Sequence, residues 1–469
     1  MSVSDAGLTP SQLLLARADT LQRTLAGNFR DQLVQAIYSD AESIAQRAVT
    51  TTSDTRWNLD QRIDRLVTSR LLGLPIMLGI LALIFWITII GSNYPSKMLA
   101  DGLFWIEAQA AASFDAWGVP TWITGFLWHG TYRGLAWVIS VMLPPMAIFF
   151  PCFTILEDLG YLPRVAFNLD RLFKIAGAHG KQALSMSMGF GCNAAGVIAC
   201  RVINSPRERL IAILTNNFVP CNGRYPTLIL LATVFVAARF SSAFASVAAA
   251  GAVVMVVVIG VLFTLIVSYV LSRTVLKGEA SAFTLELPPY RRPNILRVIY
   301  TALIDRTSFV LWRAIIVAVP AGAVIWILGN VNVAGVPLSA HISSFLEPLG
   351  NAIGLDGVIL LAYIIAIPAN EIVVPTMLMV YMGSSVMTED ISLDGLNTLL
   401  VDQNGWTLLT AVNLMLFSLL HNPCATTILT MWKETRSAKW TTLGALMPLG
   451  IAFAVTFAVA QLVRLFAPA

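Results

Sequence analysis

Residues 182–200 read QALSMSMGFGCNAAGVIAC, and the way this stretch sits between its neighbours decides the fold. It is apolar enough to enter a bilayer, yet Gly189, Gly191 and Asn193 interrupt it. Basic residues stand on both sides of it: Arg164, Arg171, Lys174 and Lys181 before, Arg201, Arg207 and Arg209 after. Lys and Arg beside an apolar run are retained on the cytoplasmic side. The stretch therefore begins and ends inside, and it is expected to be re-entrant. Residues 356–383, DGVILLAYIIAIPANEIVVPTMLMVYMG, are broken in the same way at Pro368-Ala369-Asn370-Glu371. The loops around them, 330–355 and 384–405, contain no Lys or Arg, so this segment begins and ends outside. Two broken segments entering from opposite sides are the mark of an inverted-repeat transporter. The plainer alternative is a pair of kinked full spans.

Working outward, apolar runs of the roughly 20 residues needed to cross a bilayer lie near 72–91, 132–156, 209–238, 244–272, 309–329, 406–431 and 441–466. The expected fold is thus an all-α polytopic membrane protein with about seven full spans and two re-entrant hairpins. Composition agrees: of 469 residues, 57% are hydrophobic and 12% charged, half the charge of an ordinary soluble chain, and mean hydropathy is +0.74. The net charge of +4 resides in loops beside apolar runs, a pattern suited to lipid headgroups and not to nucleic acid. No secretory signal is expected, because the first long apolar run starts only near Leu71.

The chain divides into a cytoplasmic helical and amphipathic segment (1–70), a first membrane half (71–272), a cytoplasmic linker (273–308) and a second membrane half (309–469). Gln12 to Arg47 reads as helix. Trp57 to Arg70 places Leu59, Ile63, Leu66 and Val67 on one helical face, either lying on the membrane or forming a plain solvated linker helix. The N-terminus is expected in the cytoplasm and the C-terminus outside.

Polar breaks inside apolar sequence carry the chemistry. They are Gly189-Phe190-Gly191-Cys192-Asn193, Asn216 to Arg224 around Pro220-Cys221-Asn222, Pro368 to Glu371, and His421-Asn422-Pro423-Cys424. Each half has a re-entrant break followed by a Pro-Cys break in the next downstream span. Pro removes a backbone donor and Gly admits unusual dihedrals, so carbonyls are freed at membrane depth, where they are tolerated only in protein or against a wet cavity. Thiolates suit late divalent metals, while Asn, Glu and His suit borderline ions such as ferrous iron or manganese. The candidate metal ligands are Cys192, Asn193, Cys221, Asn222, Glu371, His421 and Cys424. Glu371 is an ionisable group in an apolar stretch; its partner is either a cation in transit or Arg224. The cysteines have a second reading as small buried hydrophobes, the more natural one for Cys152 and Cys200. The five cysteines show no close pairing, so no disulfide framework is expected. His129, His179 and His341 read as solvated loop residues. No G-x-x-x-x-G-K-[ST] loop occurs, so nucleotide coupling is expected from another chain.

Leu156-Glu157-Asp158-Leu159-Gly160-Tyr161-Leu162-Pro163-Arg164, Asp170-Arg171, His179-Gly180-Lys181 and Met188 to Asn193 resemble the first Gate region of the bacterial ferrous-iron transporter B (FeoB) family. Pro220-Cys221-Asn222-Gly223-Arg224-Tyr225-Pro226 is similar to its second Gate motif. Glu286 to Arg291 resembles its cytoplasmic linker, Asp64-Arg65 to Gly73-Leu74-Pro75 its entry to the first span, and Pro423-Cys424 with Lys433-Glu434-Thr435 its last hairpin. The resemblance runs in order over roughly residues 30–466, to the membrane domain without the family's N-terminal GTPase domain. It implies ferrous-iron uptake across the bacterial inner membrane, with the Gate cysteines on the path. It implies no permanently bound cofactor, a separately encoded small GTPase or small accessory protein as partner, and room for a homo-oligomer. The chain departs from the family at Gly191-Cys192-Asn193-Ala194-Ala195, where a Val-Pro follows the Asn in others. It departs again at Pro220 to Arg224 (Ser-Cys-Gly-Ala-Arg in many members) and at Ala369-Asn370-Glu371 (Ala-Lys-Glu in many). Loss of that Lys removes a positive charge beside the carboxylate and favours a cation there. The rival functions are secondary transport of an organic solute such as a nucleoside, and a non-transporting scaffold or sensor.

Overall fold

The structure is a computed structural model that describes residues 29–48, 55–69, 71–239, 242–278, 290–384 and 393–466, with Ser11, Leu14 and Arg17 as isolated positions. Among the described residues, seven helices are long and apolar enough to cross a membrane: Gly73–Ala116, Thr121–Asp158, Pro206–Arg239, Val247–Arg273, Leu311–Asn330, Leu408–Thr435 and Ala438–Phe466. They coincide with the seven expected runs, and the chain is a multi-pass membrane protein. The described strands are confined to a two-residue ribbon, Asn332–Val333 against Val336–Pro337.

Both interrupted segments fold as two short helices packed on each other. In the first, Gln182–Gly191 has 10 residues and Asn193–Ala199 has 7. In the second, Gly357–Ile365 and Val373–Tyr381 have 9 each, separated by Pro368 and a 3-10 turn at Asn370–Ile372. At 1.5 Å per residue each helix is far too short to cross a core about 30 Å thick. The breaks repeat in detail. Cys192 (φ −152, ψ 125) and Ala369 (φ −152, ψ 118) hold the same extended conformation at equivalent points. In the spans that follow, Cys221 (φ −88, ψ 170) and Cys424 (φ −63, ψ 158) are again both extended.

Three parts of the fold depart from the expectation. The first helix, Gly73–Ala116, has 44 residues, about 66 Å at the standard rise, and continues well past the expected end near residue 91. With the following helix, Thr121–Asp158, it forms a long hairpin, turned at Gly118, whose φ of +71 suits a residue without Cβ. Hydropathy stops the span at Ser92-Asn93, but helical hydrogen bonding does not stop there. The hairpin is cross-braced by Glu107, 2% exposed, which binds His129 Nδ1 at 2.6 Å and Arg133 Nε at 3.1 Å. His129 is therefore paired and not a free loop residue. The third departure is in the loop 330–355, which contains a helix, Leu338–Ala352, bent by 111° into Gly357–Ile365. A knot closes this end: Trp406 Nε1 donates to Asp356 Oδ2 at 3.2 Å and to Tyr381 Oη at 3.1 Å, and the Tyr381 hydroxyl donates to Asp356.

On the side of the basic loops, helix Thr55–Val67 docks through Asp64. Its carboxylate takes Arg164 Nε at 2.9 Å and Nη2 at 3.2 Å, and the buried guanidinium lies 4.0 Å from the ring centre of Tyr290. Val67 is buried, while Ile63 and Leu66 remain exposed. Phe29–Ala48 is helical as expected. The rest of the 12–28 helix apart from Leu14 and Arg17, the side chains of Trp57 to Asp60, Arg70, and the linker motif Glu286 to Pro289 lie outside the described residues.

Candidate functional site

The four breaks meet. A cavity of about 30 Å³ lies between them, lined by Cys192 and Asn193 of the first, Cys221 of the second, Asn370 and Glu371 of the third and Cys424 of the fourth. Gly191, Gly223, Pro368 and Ala369 complete its backbone wall. Each thiol arrives from an extended residue between two short helical pieces, so the chain turns the Cys side chain inward at the point where helical hydrogen bonding lapses.

Arg224 stitches the second break to the fourth. Its Nη1 donates to the carbonyls of Asn217 at 2.8 Å and Leu419 at 2.7 Å, and its Nη2 to Asn217 Oδ1 at 3.0 Å and the His421 carbonyl at 3.3 Å. Asn217 Nδ2 also donates to the His421 carbonyl, at 2.6 Å. The first break joins the second through Asn216 Nδ2, 3.0 Å from the Asn193 carbonyl. The Asn193 amide is best satisfied with its nitrogen towards the carbonyls of Gly189 and Val219, each 3.2 Å away. The carbonyls freed by the breaks are thus taken up by amides and one guanidinium, as membrane depth requires.

Glu371 is 9% exposed, and among the described residues no Lys, Arg or His pairs with it. Of the two partners open to it from sequence, Arg224 is engaged elsewhere. The carboxylate instead rests on Gly223: a Cβ there would lie 2.2 Å from Glu371 Oε1. This close approach leaves no room for a side chain at position 223 while the carboxylate stays where it is.

Among the seven residues singled out from sequence, Cys192, Asn193, Cys221, Glu371 and Cys424 line the cavity. Asn222 is half-buried in a 3-10 turn and does not. His421 lies behind the wall: Nδ1 is held by the Ser418 carbonyl at 2.9 Å and the Phe417 carbonyl at 3.1 Å, and Nε2 is 3.3 Å from Asn370 Oδ1. Asn370 of the third break, not one of the seven candidates, also lines the cavity, and its position after Ala369 repeats that of Asn193 after Cys192. Cys200 is fully buried in a separate apolar cluster with Val197 and Ile203, in the packing role expected of it. Among the described residues, no three His, Cys, Asp or Glu side chains stand close enough to hold a metal ion together. The donors are spread around the cavity, unlike the closed four-ligand shell of a structural metal site.

The Gate family, described as "Nucleoside recognition", matches residues 139–236 and 311–438, one stretch in each half and together enclosing all four breaks. The family described as "Ferrous iron transport protein B C terminus" matches residues 253–305 between them. The chain belongs to the FeoB family. A FeoB relative from Staphylococcus aureus (strain MSSA476), named Fe(2+) transporter FeoB, is 29% identical over 440 residues, covering 91% of this chain and 62% of its own length. One from Legionella pneumophila (strain Paris), with the same name, is 30% identical over 308 residues, 64% of this chain and 38% of its own. A Porphyromonas gingivalis relative, named as a fusion of Fe(2+) transport protein A and FeoB, is 26% identical over 461 residues, 87% of this chain and 52% of its own. The chain thus spans less than two thirds of the length of these FeoB relatives. No solved structure matches it.

Proposed function

We propose that this chain passes a divalent metal ion, ferrous iron first and manganese next, across the bacterial inner membrane, acting as a transporter and not as an enzyme. The observation that carries this reading is the convergence of Cys192, Cys221, Cys424 and the unpaired Glu371 on one small cavity, each from a different break. Thiols and a carboxylate, with the Asn193 and Asn370 amides beside them, make a mixed soft and borderline donor set. A carboxylate without a protein cation at membrane depth is itself a reason to expect a cationic visitor. A volume of about 30 Å³ admits an ion or a water, whereas sites for small organic ligands run to roughly 300–1,000 Å³. This weighs against a nucleoside as cargo, despite the description of the Gate family.

The basic loops support a cytoplasmic N-terminus and 273–308 linker, and a separate GTPase would then meet residues 1–70 and the linker. The relative whose name joins Fe(2+) transport protein A to FeoB supports a small accessory protein as partner. The ion is cargo in this reading, with no resident cofactor.

Uptake of ferrous iron and manganese into proteoliposomes tests the proposal. Wild type accumulates metal, and Cys192→Ser, Cys221→Ser and Cys424→Ser each lower uptake far more than Cys200→Ser. Equal uptake by all four variants would return the thiols to packing. Labelling of cysteines introduced in the 290–308 stretch from the periplasmic side would reverse the topology.

A further inference from the structure

A second space, of about 990 Å³, is lined by residues that follow or neighbour those of the break cavity along the chain. The two are consecutive along the same elements: Asn193, Ala314 and Thr426 line the small one, and Ala195, Arg313 and Thr430 the large one. The large space is a vestibule on the side of the basic loops, and its charge is uneven. Arg201, Arg313, Lys433 and Arg436 line it, against Glu157 and Glu434. Arg201 and Glu434 neutralise each other at 2.6 Å, and with Lys433 and Arg436 added to Arg313 and Glu157 the lining is net positive. Arg313 is at the inner end, its Nη1 donating to Thr430 at 2.8 Å. Lys433 and Arg436 are exposed and form no ion pair among the described residues.

Topology signals alone distribute Lys and Arg along loop ends. They do not require cations from separate elements to converge on one space. Nor does a divalent cation leaving the break cavity favour a net positive chamber.

We propose that the vestibule is a binding site for a small polyanion, a molecule with two or more carboxylate or phosphate groups, held by Lys433 and Arg436 at the rim and Arg313 at the inner end. The volume suits such a ligand, and guanidinium and ammonium groups are its usual partners. Once bound, the anion cancels the chamber's positive charge and offers hard oxygen ligands to the departing ion. The site stands independently of which metal is carried, or whether one is.

The test uses the full chain in nanodiscs of zwitterionic lipid, metal-free, titrated calorimetrically with citrate and with pyrophosphate. Saturable binding is expected. It should weaken at least tenfold in the double variant Lys433→Gln, Arg436→Gln, whose melting temperature should match wild type because neither side chain is buried or paired. Lys97→Gln, an exposed cation on the first long helix outside the vestibule, should bind as wild type does. Absence of saturable binding overturns the proposal, as does equal binding by the double variant. Because no metal is present, failure here leaves the metal-transport reading untouched.

Discussion

Arg224 reaches across the two halves of the molecule to Leu419, whose backbone carbonyl accepts from Nη1 at 2.7 Å. The same guanidinium serves Asn217, His421 and Asn422, so a single side chain serves backbone carbonyls of both the second and the fourth break. It holds the second and fourth breaks together, and Glu371 is left outside that network. Arg224→Gln should destabilise the protein severely. Each buried carbonyl left unpaired costs about 1–3 kcal/mol, and several are lost together. A thermal melt in detergent measures this. An unchanged midpoint would show that water replaces the guanidinium at no cost.

Glu371→Gln should leave the fold intact and abolish transport, because the amide keeps the shape of the side chain but not its charge. Ferrous iron or manganese should raise the melting temperature of wild type and not of this variant, as binding to the folded state alone requires. Since Arg224 does not pair with Glu371, the destabilisations of Glu371→Gln and Arg224→Gln should simply add. Recovery of stability in the double variant would mean that Arg224 and Glu371 pair after all.

Gly223→Ala offers a way to move the Glu371 carboxylate without altering it. The new Cβ would lie 2.2 Å from Oε1, and the carboxylate is the free end of a flexible side chain, so it swings aside while the backbone stays. Uptake should fall steeply with little change in stability. Gly79→Ala and Gly251→Ala, where a Cβ meets nothing within 4 Å, should transport normally. Wild-type uptake by Gly223→Ala would mean that the position of the carboxylate does not matter.

The Asp64–Arg164 clamp should make docking of the Thr55–Val67 helix sensitive to acid. Burial alone would raise the Asp64 carboxyl, but the hydrogen bonds and charge of Arg164 outweigh it and hold the group below its ordinary value. A carboxylate depressed in the folded state contributes stability above its unfolded pKa of about 3.9, and that contribution is lost as pH falls through the lower folded value. The stability difference between wild type and Asp64→Asn should therefore be present at pH 7, at about 1–3 kcal/mol for a hydrogen-bonded pair with one buried partner, and shrink below pH 4. A difference that is constant with pH would point to shape and not charge.

From its sequence alone this chain declares a membrane protein, seven spans, two interrupted segments and the position of every break. These are local quantities. Transfer of a 20-residue run into lipid depends on that run alone, and a Pro or Gly frees a backbone group wherever the chain later goes. Five of the ligand candidates, Cys192, Asn193, Cys221, Glu371 and Cys424, could be read for the same reason: they are the polar or soft residues at those breaks. Tertiary structure decided which breaks face each other. It drew Asn370 into the cavity wall, left Asn222 outside it, and held His421 through Nδ1 behind the wall. It also gave Arg224 to backbone carbonyls instead of to Glu371, and it extended the first helix to Ala116 past the polar residues at which hydropathy ends. Hydropathy is a one-dimensional signal. The partner of a buried charge is set by which donors and acceptors the packing brings within about 3 Å, and in this chain the residues that meet are separated by some 200 positions.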